Sequence, residues 1–491
     1  MKKNEKKTRT VPVLSGSEVM AADKRAIRAG TPGRTLMKRA AKGLAEFIDS
    51  LDAKRVVFVT GPGNNGADGI TASGLIRKST EVEIFCVFPR EKVNSSFLWA
   101  QSISGQGVVF MPSSSALKES LRRADCVVDG IFGTGFHGIP GGRAASAIKL
   151  INASKRLVVA CDVPSGIDSD TGKAGLAVNA DFSVTFGFPK KGLFLGRGAE
   201  ISGSVRVVDI GLKKTDRKTV AGMIAPRDIG SKIPARSSKS HKYTSGHVLI
   251  FAGAMKGAAS LAALGALRGG AGLVTIAGEL KNFPEAIILD DDADFEKYIK
   301  EKKVRAIVFG PGFGRKSALR AVDVLEIFSK TDVPKVIDAD GIFLAKKYGY
   351  LKKLKNCVFT PHTGEARILT RGALAAPGSW NTVKKLSASL GAVVVLKGHR
   401  TVISEGKTVM INPTGNPVLA SGGTGDLLAG ITAGLIAGGM DVFSGALAAV
   451  YAHGLAADLF MKKNGNAGAL IRDIASLLPR AMKIMKEGRL A

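Results

Sequence analysis

The chain has 491 residues, 45% of them hydrophobic, which is enough for two or three domains with substantial cores. Its 71 lysines and arginines exceed 41 acidic residues, and the net charge of +30 favours anionic ligands. The basic residues are scattered, and only 5 tyrosines and 2 tryptophans are available to stack on bases, so we expect no nucleic-acid partner.

Cysteines and apolar runs bear on the compartment. The cysteines show no CxxC spacing, which indicates buried thiols in a reducing cytoplasm. The basic N-terminus leads into no apolar signal core. The apolar stretch 427–440 is too short and too rich in glycine to cross a bilayer. We therefore expect a cytoplasmic protein with no membrane segment.

The first two hundred residues alternate short apolar runs with helical patterns. Strands are predicted at 56–60, 82–88, 126–132, 157–163 and 182–188, with a last strand or hairpin near 200–210. Continuous apolar strands separated by helices predict an α/β domain whose parallel sheet is covered on both faces.

A glycine-rich loop, GPGNNGADG, occupies 61–69 between a predicted strand and a predicted helix. Its glycines Gly61, Gly63 and Gly66 satisfy GxGxxG, so an ordinary dinucleotide-binding dehydrogenase is one interpretation. A turn in which Asp68 only caps the helix is another. The Lys-Ser/Thr pair of a Walker loop is missing, which excludes a P-loop.

Two further predicted strands end in polar residues. Asp129 lies near the end of one, and Asp162 and Ser165 follow the next. Ligands of doubly wound sheets bind outside the carboxyl ends of the strands, so Asn65, Asp129 and Ser165 are expected to converge there. Such hard oxygen ligands suit an alkali or alkaline-earth cation, although an isolated strand-end aspartate is more often a cap.

The second half restarts the alternation after a charged stretch rich in small polar residues. Strands are predicted at 247–253, 306–310, 335–340, 356–361 and 392–398. The loops that follow them offer the glycines of GPGFG (310–314), the motif DADG (338–341), His362 with Glu365, and Lys397, which is within reach of a nucleotide phosphate.

The segment SGGTGDLLAG (421–430) carries glycines directly into a helix N-terminus. Unpaired amides and the helix dipole would stabilise a developing phosphate anion. Asp426 stands at that helix start, where it either takes a proton from a substrate hydroxyl or merely caps the helix.

The motifs GPGNNGADG, DGIFGTGFHG and DVPSGIDSDTG resemble the signatures of the NAD(P)H-hydrate epimerase domain over residues 14–212. The resemblance implies a Rossmann-like three-layer domain with potassium on Asn65, Asp129 and Ser165, and Asp162 as the catalytic residue that contacts substrate. It implies that two loops bind the hydrated cofactor. They comprise Asn64, Asn65, Gly66, Ala67 and Asp68, and Gly133, Thr134, Gly135, Phe136, His137, Gly138 and Ile139. Ala67 and Lys38 depart from the family's glycine and glutamate.

The motifs VFGPGFG, VIDADG, TPHTGEARIL, VVVLKGHRTVI and SGGTGDLLAG resemble the ADP- or ATP-dependent NAD(P)H-hydrate dehydratase domain over 238–485. The resemblance implies a ribokinase-like α/β domain that uses magnesium with ADP, in preference to ATP, and has Asp426 as its catalytic residue. It implies a hydrate site at Ala258, Gly312, Gly314, His362 and Asp426, and a nucleotide site at Lys397, Gly398, His399, Arg400, Thr401 and Gly425. Thr363 and Phe343 depart from the family's proline and asparagine.

These motifs together predict an epimerase domain at 1–215, a linker at 216–237 and a dehydratase domain at 238–491. The partners would be NADH hydrate, NADPH hydrate and ADP or ATP, and the resemblance also allows a homo-oligomer. Two other functions stay open. One is a ribokinase-like small-molecule kinase fused to a Rossmann-like ligand-binding domain, and the other is a basic scaffold for RNA or lipid headgroups.

Overall fold

The computed structural model describes residues 11–213, 221–235, 238, 241–242, 244–278, 280, 283, 285–290, 293–316, 318–370 and 380–488. The described residues fall into two compact units, the first formed by residues 11–213 and the second by those from 221 onward. Both are α/β units with parallel sheets, as the sequence predicts.

The first unit alternates strands and helices in the predicted order. Its strands are β1 (Val11–Pro12), β2 (Arg55–Thr60), β3 (Glu81–Cys86), β4 (Val109–Phe110), β5 (Cys126–Gly130), β6 (Leu157–Cys161), β7 (Phe182–Phe186) and β8 (Ser204–Val208). Its helices are α1 (Gly16–Arg28), α2 (Gly33–Asp49), α3 (Asn64–Ser73), α4 (Ser95–Ser104), α5 (Ser114–Arg123), α6 (Gly142–Ser154) and α7 (Gly196–Ile201).

The sheet of the first unit has the strand order β4-β3-β2-β5-β6-β7-β8, and all its pairs are parallel. Successive residues of β2 face opposite sides, since Phe58 packs with α2, α3 and α4 whereas Val59 packs with α5 and α6. The chain runs from β2 to β3 on one side and reaches β5 on the other. This reversal opens a crevice at the carboxyl ends of β2 and β5.

The second unit has a longer sheet. Its strands are β9 (Ala221–Met223), β10 (His247–Phe251), β11 (Leu273–Ala277), β12 (Ile287–Leu289), β13 (Ala306–Phe309), β14 (Lys335–Ile337), β15 (Cys357–Phe359), β16 (Val393–Leu396), β17 (Val402–Ser404) and β18 (Val409–Ile411). They lie in the order β9-β18-β17-β16-β15-β14-β13-β10-β11-β12. Pairing is parallel from β12 to β16, and β17 is antiparallel to both its neighbours.

Helices cover both faces of this sheet. They are α8 (Pro226–Gly230), α9 (Lys256–Arg268), α10 (Phe295–Glu301), α11 (Ala318–Lys330), α12 (Asp340–Lys347), α13 (Thr363–Leu369), α14 (Trp380–Leu390), α15 (Thr424–Ala437), α16 (Val442–Asn464) and α17 (Ile471–Glu487). The strand order reverses between β10 and β13, so a second crevice is expected at their carboxyl ends.

Helix α15 lies very close to α9. A Cβ atom on Gly430 would stand 1.9 Å from the carbonyl oxygen of Ala262, so only glycine permits this approach. The contact fixes the axis of α15 and therefore the position of its N-terminus, where Asp426 stands.

The predicted linker contains regular secondary structure. Residues 221–230 fall within the expected linker, yet they include β9, which pairs with β18, and α8, which packs against α17. The second unit thus begins before residue 238.

Helix α16 is apolar and long enough to cross a membrane, but 78% of its apolar window is buried within the fold, as in a core helix.

Candidate functional sites

A cavity of about 930 Å³ opens at the crevice of the first unit. It lies where the loops after β2, β5, β6 and β7 meet. Gly61 makes the crevice possible, because a Cβ atom there would stand 1.9 Å from the carbonyl oxygen of Ile131. This volume is typical of a small-molecule site.

The predicted loop 61–68 forms part of the wall of this cavity. Asn64 and Asn65 begin α3 and line the cavity, together with Asp68. Gly66 and Ala67 lie behind them and are buried. Ala67 has no left-handed backbone and packs in the core, so alanine is tolerated where the family has glycine.

Asp162 and Lys190 form a buried ion pair in the cavity wall. Lys190 is 1% exposed, and its ammonium donates to Oδ1 of Asp162. The same oxygen accepts from Thr185 at 3.0 Å and from the N–H of Phe186 at 3.1 Å, while Oδ2 accepts from Thr134 at 2.6 Å. Burial by itself would raise the pKa of Asp162, but Lys190 and these donors outweigh it and lower the pKa. Asp162 is therefore ionised.

Asp68 has the opposite character. Burial raises its pKa well above the ordinary value, and the nearby charges of Asp162 and Asp23 raise it further. The pKa of Asp23 is also raised by burial, and its Oδ1 has no hydrogen-bond partner among the described residues. The cavity therefore holds a carboxyl of raised pKa beside one of lowered pKa, a difference by which sites commonly divide acid and base roles.

The three predicted cation ligands meet at the carboxyl end of β5. Ser165 donates its hydroxyl to Oδ1 of Asp129 at 2.6 Å and its N–H to Oδ2 at 2.7 Å. The side-chain amide of Asn65 donates to the carbonyl oxygen of Phe132 at 2.9 Å, and the N–H of Phe132 donates to Oγ of Ser165 at 2.8 Å. Burial raises the pKa of Asp129 to about 6. Hard oxygen atoms thus surround a buried carboxyl, which is the donor chemistry of a cation site.

The predicted loop 133–139 divides into two parts. Gly133, Thr134, Gly135 and Phe136 line the cavity. The remaining three residues do not line it within the described part of the chain. They are His137, whose ring lies 3.1 Å from Asp168, Gly138 with a φ of +97°, and Ile139, which is 77% exposed.

In the second unit, the motif DADG places two carboxylates at the end of β14. Asp338 is buried, and its Oδ1 accepts from Lys397 at 2.6 Å and from Thr360 at 2.7 Å. Ala339 has the rare backbone angles φ 46° and ψ −121°, which turn the two aspartates in different directions. The carboxylate of Asp340 accepts from the N–H of Gly314 at 3.0 Å and pairs with Arg315 at 2.9 Å.

Asp426 lies in the first turn of α15, and Gly423 precedes that helix with a φ of +93°. Burial raises the pKa of Asp426 to about 6; the charge of Asp338 adds to the shift and Lys397 opposes it. A Cβ atom on Gly425 would stand 3.2 Å from the ammonium of Lys397 and 3.6 Å from Oδ2 of Asp338. The predicted Gly425, Lys397 and Asp426 therefore come together around Asp338.

The glycine loop after β13 meets the start of α9. Gly312 has a φ of +58°, and a Cβ atom on it would stand 2.8 Å from that of Ala258, so these two predicted residues are neighbours. Phe343 packs beneath the guanidinium of Arg315, 4.7 Å from its ring centre. Phe343, which stands where the resemblance implies asparagine, thus stabilises the guanidinium of Arg315 that Asp340 holds.

His362 is the N-cap of α13. Its ring Nδ1 accepts from the backbone N–H groups of Gly364 at 2.9 Å and Glu365 at 3.3 Å. The backbone N–H of His362 donates to the carboxylate of Glu365 at 2.8 Å. Thr363 begins the helix. His362 pairs with Lys397 in a parallel bridge, so both lie at the same edge of the sheet.

The predicted nucleotide segment 397–401 has mixed surroundings. Gly398 and His399 are exposed, and Thr401 donates to the carbonyl of Gly398 at 3.2 Å. Arg400 is buried, which lowers its pKa to about 10, and it donates to the carbonyl of Pro413 at 3.4 Å. The guanidinium of Arg400 thus supports the loop from below.

Four residues of these sites are absent from the predicted ligand sets. They are Asp23, Lys190, Asp338 and Asp340. Lys190 follows a buried strand in the run FSVTFGFPKKG. Because ligands bind outside the carboxyl ends of parallel strands, this position could have marked Lys190 as a candidate. Asp23 lies on a helix that precedes the sheet, and no local motif marks it.

Both units of the chain are similar to known proteins. A family model described as NAD(P)H-hydrate dehydratase matches residues 248–480, and one described as YjeF-related protein N-terminus matches residues 33–192. The bifunctional NAD(P)H-hydrate repair enzyme Nnr of Moorella thermoacetica is 34% identical over 93% of this chain and 93% of its own length. The enzyme of that name from Methanothermobacter thermautotrophicus is 32% identical over 96% of this chain and 95% of its own.

A solved ADP/ATP-dependent NAD(P)H-hydrate dehydratase from Bacillus subtilis, co-crystallised with ATP/Mg²⁺, is 31% identical with a TM-score of 0.46; the match covers 55% of this chain and 100% of that one. The relatives from the two organisms above match both units of the chain over nearly their whole length. The chain therefore belongs to the family of bifunctional NAD(P)H-hydrate repair enzymes.

Proposed function

We propose that this chain repairs hydrated NADH and NADPH. The first unit interconverts the R and S hydrates, and the second dehydrates the S form to NAD(P)H at the expense of ADP, with release of AMP and phosphate. The observation that carries the proposal is the presence, in one chain of this family, of an acid–base cavity and a separate glycine-lined anion site.

The cavity of the first unit supports the epimerisation. The hydrate carries a hydroxyl on carbon 6 of the reduced nicotinamide ring, and inversion requires that this carbon–oxygen bond break and form again. The protonated Asp68 can give its proton to the departing hydroxyl, which leaves as water. The ionised Asp162 can take a proton from the water that returns to the opposite face. Lys190 keeps Asp162 ionised until it receives that proton, which returns to Asp68 through solvent before the next turnover. No hydride acceptor is needed.

Potassium is part of this proposal. Asn65, Asp129 and Ser165 would hold it, and its charge would fix the loop that faces the phosphates and ribose of the substrate. In the part of the chain that the structure describes, Asp162 and Asp68 form no hydrogen bond with these three side chains. The proton transfers are therefore assigned to the two aspartates and not to the cation.

The second unit supports activation of the hydroxyl as a phosphate leaving group. Asp426 accepts the proton of the carbon-6 hydroxyl while the oxygen of that hydroxyl attacks the terminal phosphorus, and the bond from this phosphorus to the rest of the nucleotide breaks. Phosphate then leaves carbon 6 while carbon 5 loses a proton to solvent, which restores the ring double bond. Lys397 and the amides around Gly425 would bind the phosphates. A pKa of about 6 makes Asp426 a suitable base near neutral pH.

Magnesium bound with the nucleotide would neutralise phosphate charge. Asp338 fits it, because Oδ1 is bonded to Lys397 and Thr360 while Oδ2 faces Gly425. Magnesium in nucleotide sites is usually held by one or two carboxylates together with phosphates. We take ADP as the donor, and ATP is the alternative that the assay below compares directly.

We place the reaction in the cytoplasm. All four cysteines, Cys86, Cys126, Cys161 and Cys357, are buried free thiols, as expected of a protein in a reducing compartment. A homo-oligomer stays a prediction, which the mass of the purified protein in solution would test.

The decisive experiment starts from the R form of NADPH hydrate, because its repair needs both activities. The full chain is mixed with R hydrate, magnesium and either ADP or ATP, and the absorbance at 340 nm is followed together with AMP or ADP release. We expect NADPH to return in a one-to-one ratio with AMP. A phosphorylated product without recovered NADPH would contradict the proposal and favour a small-molecule kinase.

A further inference from the structure

Two cations of α2 flank the indole of Trp99 on α4. The guanidinium of Arg34 lies 5.1 Å from the ring centre, and the ammonium of Lys38 lies 5.9 Å from it. Arg34 and Lys38 are one helical turn apart, so both reach the same aromatic side chain. The ring attracts and orders both cations.

These two charges have no acidic partner in the part of the chain that the structure describes. Lys42, the next cation along α2 at this spacing, does pair with Glu46 at 3.8 Å. Like charges at a spacing of four residues repel each other and destabilise a helix. The unneutralised pair therefore favours an anion beside it.

Arg34 and Trp99 lie in the wall of the same cavity as Asp162 and Asp68. Ser95, one turn before Trp99 on α4, lines the cavity as well and adds a hydroxyl donor. The aspartates and Lys190 are suited to the reacting ring, whereas Arg34 offers a planar, permanently charged fork that matches phosphate.

We propose that Arg34, supported by Trp99 and Lys38, forms a subsite for a phosphate group of the dinucleotide in the first unit. The proposal rests on the function proposed above and names the group that binds at this wall. The phosphate is either the 2′-phosphate, which only NADPH hydrate carries, or the pyrophosphate, which both hydrates carry. Lys38 strengthens the subsite because it adds a positive charge behind Arg34.

Kinetics of the full chain distinguish the two phosphates. Arg34→Gln should raise the KM for R/S exchange about tenfold with little change in kcat, since the contact is remote from the reacting carbon. An increase for NADPH hydrate alone assigns the 2′-phosphate, and an equal increase for both hydrates assigns the pyrophosphate. Lys42→Gln, which removes an exposed cation of the same helix, should leave KM unchanged. An unchanged KM for both hydrates in Arg34→Gln would overturn the proposal.

A binding measurement separates this subsite from the activity itself. The chain has two tryptophans, so Trp380→Phe leaves Trp99 as the only indole. Its fluorescence is titrated with ADP-ribose and with 2′-phospho-ADP-ribose, neither of which can be turned over. We expect a saturable change that weakens about tenfold in Arg34→Gln and persists in Lys42→Gln.

The two measurements fail in different ways. If ADP-ribose binding depends on Arg34 but the protein shows no R/S exchange, the proposed epimerase activity is contradicted and the phosphate subsite is supported. R/S exchange in a protein whose Trp99 signal and KM both ignore Arg34 would keep the epimerase and reject the subsite.

Discussion

The two sites of this chain neutralise charge in different ways. In the first unit, Asp162 is neutralised by Lys190 inside the protein, and both side chains are largely buried. In the second, Lys397 is paired with Asp338 beside exposed glycines, and the nearby Asp426 keeps a raised pKa. The comparison teaches that strand ends position both sites, whereas the balance between burial and neighbouring charges decides which carboxyl is ionised.

Each site also contains one strained residue that is not glycine. Asp162 has a φ of +69°, and Ala339 has a φ of +46°. Such angles cost about 1–3 kcal/mol each and persist only where the surroundings enforce them. Here they aim Asp162 into the cavity and turn Asp338 and Asp340 apart, so the strain serves the sites.

The largest expected effect comes from Asp426→Asn, which removes the proposed base of the second site. We expect dehydration of the S hydrate to fall about 10³-fold, within the range for loss of a general base, while R/S exchange continues. Recovery of absorbance at 340 nm and separation of the two hydrates by chromatography measure the two activities. Asp473→Asn, at the start of α17, is the control. Parallel loss of both activities would contradict separate sites.

The next largest effect concerns the internal ion pair. Lys190→Met leaves Asp162 buried without its partner, so its pKa should rise and R/S exchange should fall about 10²-fold. The first unit should lose about 3 kcal/mol of stability, which the fluorescence of Trp99 in a Trp380→Phe background reports during denaturation. Lys191→Met, at the adjacent and partly exposed lysine, should change both quantities little. Dehydration of S hydrate should survive both substitutions.

The pH profiles should differ in direction. Asp426 must be ionised to accept a proton, so kcat/KM for dehydration should fall about tenfold per pH unit below about 6. Asp68 must be protonated to donate, so R/S exchange should instead fall as the pH rises through its raised pKa. Asp162 contributes no loss near pH 6, because its pKa is lowered. Identical profiles for the two reactions would refute these assignments.

The smallest effect is that of potassium on stability. A cation that binds only the folded first unit raises its unfolding temperature by mass action, and we expect a rise of about 2–4 °C in KCl over NaCl at equal ionic strength. Asp129→Asn should abolish the difference. Thermal scans followed by the fluorescence of Trp99 measure the difference. An equal rise in unfolding temperature in Asp129→Asn would contradict potassium binding at this cluster.

Particular residues show how far sequence reasoning reached. The predicted Asn65, Asp129 and Ser165 do converge, because they end or follow adjacent parallel strands. The prediction that 216–237 is a linker could not anticipate β9, since the partner strand of β9 lies about 190 residues later in the chain. His137 and Ile139 belong to a recognisable motif, yet the turn of the chain directs them away from the cavity.

The sequence by itself determined two α/β units and the strand-end loops, because apolar periodicity and glycine spacing are local properties. Its motifs also resembled those of the family to which the chain belongs. Only the tertiary structure decided that Lys190 neutralises Asp162, that burial raises the pKa of Asp68 and that Arg34 meets Trp99 at the cavity wall. Ionisation depends on burial and on neighbours far apart in the chain, and packing alone brings those neighbours together.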